Sequence, residues 1–305
     1  MHERNWKEYN KTLVRRGEIL FSLEFLDTWN KELRNMNEGK RGRPYYFPMS
    51  FIMFLKVLHD ILHIKYRQTE GFIRALSTYI PVIHAPSFSQ IRRRAIQIEL
   101  PLRTTLRETS GDFVITVDSS GIKVANRGEW MRHKWKVRRG WIKVHIAVDV
   151  HTKEIVAMKI TDEHTGDGRL LPPLVSHAHT CKGRAPATVL GDGAYDSKRN
   201  FAYLDARGIA AGIKIRENAS PKARGSPARA KYVRERKKLG YEAWRVKYGY
   251  GKRWMNETTF SRGKREFGEY VMATKWDNMV NEIKFQYTVL NLLLNQTSIY
   301  STLSH

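Results

Sequence analysis

Only one cysteine, Cys181, occurs in 305 residues. An internal disulfide is therefore impossible, and a cysteine-rich zinc finger is excluded. No stretch reaches the roughly 18 apolar residues of a membrane-spanning helix. The best candidate, residues 51–64, is interrupted by Lys56, His59 and Asp60. The opening MHERNWKEYNK lacks the apolar core of a secretion signal. These absences lead us to expect a soluble, cytoplasmic protein. Acid is scarce as well: 30 Asp and Glu face 54 Lys and Arg, a net charge of +24. Such an imbalance points to a polyanionic partner, DNA or RNA, and says nothing about fold. Hydrophobic residues make up 41% of the chain, enough to argue against wholesale disorder.

Residues 1–108 read as helical. Leu13, Ile19, Leu20, Leu23, Phe25, Leu26 and Trp29 recur at mixed helical spacing with charges between them. GKRGRPYYFP at 39–48 is a basic turn; its RGRP fits either a minor-groove arm or a charged loop. Ser50 is placed to cap the run FIMFLKVLHDILHI. A short helix near 71–80 stops at Pro81 and Pro86. A further one, SQIRRRAIQIEL, carries Arg92, Arg93 and Arg94. Two short helices ending in an arginine-rich one suggest a helix-turn-helix that contacts DNA through those arginines. A helical bundle with a basic rim is the bland alternative.

Composition changes near 105–112, and 109–305 reads as a second domain. DFVITVDSS is a buried strand ending at Asp118. WIKVHIAVD (141–149) and KEIVAMKIT (153–161) are two more strands, joined by a hairpin at 151–152. An irregular helix at 166–177, a short strand at 187–190, a helix at 198–207 and a strand at 211–215 follow. Three meandering strands and then alternating helix and strand make a mixed α/β sheet with helices on both faces. A long apolar helix near 278–294 is expected to close the core.

Two segments concentrate positive charge. Residues 214–253 hold fourteen Lys and Arg against Glu217, Glu235 and Glu242, with Tyr241, Trp244 and Tyr248 interleaved. Within them lies a short basic insert at about 216–247, whose stretch ENASPKARGSPARAK reads as a mobile loop. Residues 127–143 hold seven Lys and Arg, including Lys134, Arg138 and Arg139, beside Trp130, Trp135 and Trp141. Cations interleaved with aromatics suit phosphate contact and base stacking.

Three carboxylates stand out: Asp118 and Asp192 at strand ends, and Glu257. Acids this far apart in sequence meet only through the fold. Three acids in a positive cleft must hold cations, since mutual repulsion would otherwise protonate one of them. Hard oxygen ligands select Mg²⁺ or Mn²⁺, and two such ions form a phosphoryl-transfer clamp. Tyr250, Arg253, Glu257 and Lys264 fall within roughly 60° of one another on an ideal helix. The face so formed is polar, carrying one hydroxyl, two cations and one carboxylate. An i, i+4 ion pair between Arg253 and Glu257 is the bland alternative.

The spacing Tyr-x2-Arg-x3-Glu-x6-Lys at 250–264 resembles the signature of the prokaryotic insertion-sequence transposases of the DDE class. VDSSG around Asp118 and GDGAYD around Asp192 resemble that family's two aspartate motifs. RGRP, YRQTEGFIRAL and PSFSQIRRRA resemble the helical domain of one branch. The resemblance implies an all-α N-terminal domain followed by a ribonuclease-H-like mixed-sheet catalytic core. It implies catalytic, metal-binding roles for Asp118, Asp192 and Glu257. Two Mg²⁺ or Mn²⁺ ions would serve each site. DNA contacts would come from Tyr250, Arg253 and Lys264. The partners would be double-stranded DNA, as terminal inverted repeats and target, bound by a homodimer or larger assembly. The setting would be a prokaryotic cytoplasm at the nucleoid. The activity would be cleavage at transposon ends and strand transfer of the 3′-hydroxyl. A nuclease without strand transfer, or an inactive DNA-binding relative, are the competing readings.

Other polar residues receive structural roles. Asp167 is expected to cap a helix, and Asp196 to shape the turn after Asp192 or cap the helix that follows. His133 and His145 are expected to be hydrogen-bonded rather than metal ligands. The charge leads to one prediction. Affinity for duplex DNA falls steeply as salt rises, measured by fluorescence anisotropy across a salt series; a flat response would assign the basic segments to solvent.

Overall fold

The computed structural model describes residues 5–108, 110–124 and 140–300. By contact the chain divides into two compact units, Met1–Thr105 with Met272–His305, and Leu106–Val271. The sequence reading counted 109–305 as one domain; residues 272–305 group instead with the helical residues.

The first unit is helical: α1 (Trp6–Leu20), α2 (Phe25–Asn37), α3 (Met49–Asp60), α4 (Tyr66–Ser77), α5 (Phe88–Ala95) and, from the far end of the chain, α10 (Trp276–Asn295). α3 is buried on every side from Ser50 to Asp60, as a central helix must be. Pro48 occupies its N-cap, and Ser50 lies inside the helix with its hydroxyl donated to Glu32. Its two charges are paired: Lys56 Nζ lies 2.8 Å from Asp60 and also donates to Asn281 on α10. α4 and α5 are separated by residues 78–87, much longer than the three or four residues of a helix-turn-helix turn.

The second unit is built on a six-stranded sheet. Its strands are β1 (Val114–Val124), β2 (Trp141–Asp149), β3 (Ile155–Asp162), β4 (Thr188–Gly191), β5 (Ala210–Ile213) and β6 (Tyr270–Val271). The order is β3-β2-β1-β4-β5. β1, β2 and β3 are antiparallel neighbours, and β4 and β5 run parallel to β1. With helices α6 (Leu171–Lys182), α7 (Lys198–Asp205), α8 (Pro227–Lys247) and α9 (Trp254–Phe267), this is the ribonuclease-H-like core anticipated above.

β1 is longer than expected. The strand does not end at Asp118 but runs on through Val124. β2 pairs with it out to Lys123, and β6 takes the other flank at Lys123 and Val124. β4 pairs with that same flank only at Val114–Thr116. Between them the flank of β1 is open, and Asp118 lies in this opening.

Period-two alternation assigns the faces of β1. Phe113, Ile115 and Val117 join the core under α6 and α7, with Leu171, Leu174, Phe201 and Leu204. Thr116 and Asp118 point to the opposite face. There Asn256 of α9 donates to the Thr116 hydroxyl at 3.0 Å.

The basic insert is not a loop throughout. α8 begins at Pro227, and its Trp244 is fully buried against Tyr248 and Tyr250. That tryptophan is a packing residue, not a stacking platform for bases. α8 is broken at Gly240, whose φ of 77° and ψ of 171° are not helical.

Candidate active site

The opening beside β1 gathers the three acids. The β1–β4 pairing ends at Thr116 and Leu190, two residues short of Asp118 and Asp192, and the charge of Asp192 acts on the Asp118 carboxyl. Asp192 follows the end of β4 with extended backbone, and its Oδ1 accepts from Ala194 N at 2.9 Å. Glu257 comes from the first turn of α9, where Asn256 fixes the helix to β1.

Arg253 ties two of the acids together. Its Nη1 lies 3.4 Å from Asp118 Oδ2, and its Nη2 lies 2.6 Å from Glu257 Oε1. The i, i+4 pair is therefore present, but it extends to a third partner on the sheet. Asp118 Oδ1 also accepts from Ser119 N at 2.8 Å. Burial pushes the Asp118 carboxyl above its ordinary value; Ser119 N–H and Arg253 pull it down, and Asp192 and Glu257 push it up again. Burial works against the Arg253 charge, but Tyr250, Glu257 and Asp118 outweigh it and hold its pKa above the usual value.

The four-residue motif is not one continuous α-helix. Tyr250–Arg253 form a 3₁₀ turn after Gly249, and α9 starts at Trp254. Glu257 and Lys264 share α9 two turns apart, while Arg253 is set by the tighter turn before it. Tyr250 is buried against Trp244, with ring centroids 5.0 Å apart. Lys264 is half-buried.

A cleft of about 710 Å³ opens from Asp192, walled by Lys214, Arg216, Glu217, Tyr250 and Arg253. Lys214 and Arg216 were not singled out from sequence. The only signal was their place in a basic run. Lys214 N donates to Gly191 O and Arg216 N to Asp196 Oδ2, which fixes this wall to the end of β4.

Asp196 does not cap a helix. It forms a two-pronged pair with Arg229, at 2.6 and 2.8 Å, and Ser197 caps α7. Nor does Asp167 cap: it accepts from Lys143 Nζ at 3.0 Å and lies 3.8 Å from His145 Nδ1. His145 is wholly buried and hydrogen-bonded to Thr161. Tyr195 is buried too, and burial together with Asp118, Asp167 and Asp192 pushes its hydroxyl far up.

Of the other sequence candidates, Arg92 and Arg93 are exposed on α5. Arg94 turns inward, donating to Phe47 O at 2.6 Å and lying over the Tyr45 ring. Lys134, Arg138 and Arg139, with His133, Trp130 and Trp135, lie outside the described residues.

Among the described residues, no group of three or more His, Cys, Asp or Glu is arranged to hold a metal ion. The chemistry of the set nevertheless suits one. Asp118, Asp192 and Glu257 offer hard oxygens, and a positive charge, that of Arg253, lies against two of them. The buried Tyr195 hydroxyl has no hydrogen-bond partner among the described residues, and the charges of Asp118, Asp167 and Asp192 act on it.

A family model described as "Transposase DDE domain" matches residues 109–292, more than half of the chain. A second model of the same description matches residues 14–127. The chain belongs to the DDE transposases. Enzymes of this class are metal-dependent nucleases and strand transferases, and their cofactor is a divalent metal ion. Among solved structures, the chain is similar to the piggyBac transposase in a synaptic complex with hairpin DNA. Identity is 11%, coverage 95% of this chain and 74% of that one, and the TM-score 0.43. It is also similar to the simian T-cell lymphotropic virus intasome in complex with the PP2A regulatory subunit B56 gamma. There identity is 16%, coverage 66% of this chain and 65% of that one, less than two thirds of its length, and the TM-score 0.27. The family models alone carry the assignment. No helix among the described residues is long and apolar enough to cross a membrane.

His145 makes a pH prediction. Burial lowers its pKa from 6.5 to about 4, with Asp167 opposing and Lys143 reinforcing the shift. Above 6.5 it is neutral folded and unfolded alike. Between 6.5 and about 4 the unfolded chain takes up a proton that the folded one refuses, so stability falls as pH falls. His145→Gln should flatten that part of the thermal-melt pH profile, by up to ~3 kcal/mol; an unchanged profile would show that His145 does not drive it.

Proposed function

We propose that this transposase cuts at transposon ends and joins the 3′-hydroxyl to target DNA through Asp118, Asp192 and Glu257. The observation that supports the reading is that Arg253 bridges Asp118 on β1 and Glu257 on α9, while the charges of Asp192 and Glu257 both act on the Asp118 carboxyl. The three carboxylates would hold Mg²⁺ or Mn²⁺, two ions per site. When bound, the ions supply Lewis acidity to a phosphodiester and a lowered pKa to a water or a 3′-hydroxyl.

The chain's own residues do the rest. Asp118, desolvated on its strand, favours any cation that restores its charge balance. Arg253 provides one while no ion is present. Were the acids to hold a metal ion, the Arg253 guanidinium would be available to a phosphate, for which its flat fork of donors is suited. Lys214 and Arg216 supply further positive charge along the cleft, and Lys264 lies on α9 two turns beyond Glu257. Tyr250, packed on Trp244, is a rigid wall whose hydroxyl end reaches the same cleft. Arg92 and Arg93 are the exposed candidates for DNA contact in the helical unit. The DNA partner is duplex, as terminal inverted repeats and target, and pairing two ends calls for a dimer or larger assembly in a prokaryotic cytoplasm.

Asp118→Asn should leave duplex binding in place and abolish Mg²⁺-dependent cleavage, read on a labelled transposon-end substrate. Cleavage at the wild-type rate would remove Asp118 from the mechanism. A precut end separates strand transfer from simple nuclease action, since joining to a second DNA is expected only of the former.

A second test addresses Arg253. Arg253→Gln removes the cation that competes for the acids. Mn²⁺ binding followed by electron paramagnetic resonance should tighten by about fivefold, the equivalent of a screened pair of ~1 kcal/mol. Weaker binding would mean that the guanidinium helps to build the metal site rather than standing in its place.

A further inference from the structure

A second cavity lies at the N-terminus of α8, away from the three acids. It measures about 260 Å³ and is lined by Lys198, Lys222, Arg224, Ser226 and Arg229, with no carboxylate among its lining residues. The share of liquid volume taken by one water is ~30 Å³, so the space holds a small anion with some of its hydration.

Three features of this cavity favour a phosphate. First, the start of α8 is unsatisfied. Ser226 is its N-cap, but the side chain makes no capping bond. Pro227 brings no N–H, and the first-turn amides of Ala228 and Arg229 have no acceptor within the helix. Second, the Ser226 hydroxyl is only 5% exposed with its residue, lines the cavity, and has no hydrogen-bond partner among the described residues. A buried hydroxyl without a partner costs stability unless something fills its need. Third, the charge is of one sign. Arg229 is neutralised by Asp196. Lys222 and Arg224 are exposed, and no described carboxylate is paired with either. Lys198 Nζ is held at the rim by Arg224 O at 2.6 Å.

The loop is shaped to present these groups. Arg224 and Gly225 both have positive φ, 40° and 79°, and Ser226 N closes the turn onto Ala223 O at 2.8 Å. Glycine suits the second position because it adopts such angles without a Cβ clash. Asp196 joins Arg229 on α8 to Arg216 N on the active-site wall, so the cavity and the catalytic cleft share one rigid connection.

We infer that this cavity is a binding site for a phosphate group, and that the DNA backbone fills it while the scissile strand lies at Asp118, Asp192 and Glu257. That the phosphate is DNA's rests on the proposed function; the anion site itself does not. Helix N-termini with nearby cations favour phosphates through oriented amides and positive potential.

The test uses the full chain and two variants, Ser226→Ala and the double variant Lys222→Gln/Arg224→Gln. Melting temperatures establish that both fold. Titration with inorganic phosphate, followed by ³¹P line broadening, should show saturable binding in the wild type and its loss in both variants. Anisotropy with a labelled duplex should show weaker binding by both, and a salt slope smaller by about 1 for the double variant, as for one phosphate contact. Saturable phosphate binding with unchanged duplex affinity keeps the anion site and overturns its DNA role. No saturable phosphate binding overturns the site. Weakening confined to the double variant, with Ser226→Ala equal to wild type in both titrations, also overturns it, because it reads as general loss of surface charge. Failure of the wild type to bind duplex would tell against the proposed function while leaving the phosphate titration to decide the site.

Discussion

Three carboxylates brought to one side of a sheet repel one another, and the arrangement stands only if positive charge is present. Arg253 meets that need within the chain, at 3.4 Å from Asp118 and 2.6 Å from Glu257. Much else can be seen as support for this contact. Asn256 fixes α9 to β1 beside it, and the buried Trp244 and Tyr250 back the 3₁₀ turn that carries the guanidinium. β1 leaves a flank open because β4 is short and β6 joins only at the far end.

The positive charge of the chain is organised at more than one level. Some of it is structural. Arg94 is bound to Phe47 O, Arg229 to Asp196, and Lys182 with Arg107 to the fully buried Glu154. These cations hold backbone segments and buried acids in place. Others, among them Lys214 and Arg216, are exposed along the cleft. Composition counts both kinds alike, and only the fold separates them.

Much of the sheet was legible in the sequence because hydrophobic alternation is local. β2 lies where the pattern placed it, at 141–149. The Arg253–Glu257 pair was legible too, from its i, i+4 spacing. What escaped was non-local. β1 continues past Asp118, where the apolar run stops, because partner strands supply its hydrogen bonds. Trp244 looked like a stacking residue since aromatics amid cations have the same pattern whether they face a ligand or a core; burial decides it. Asp167 looked like a cap, but Lys143 and His145 reach it from β2. The single-helix reading of 250–264 assumed 100° per residue throughout, and Gly249, with φ of 59°, starts a tighter turn instead.

The break at Gly240 divides α8 into two levers rather than one rod. Its first arm begins at Ser226 and holds Arg229; its second carries Trp244, on which Tyr250 rests. A rigid rod would pass any displacement at one end straight to the other. With a joint between them the two arms follow different axes, and what ties the first arm to the wall of the cleft is the side-chain link from Arg229 through Asp196 to Arg216, not the helix itself.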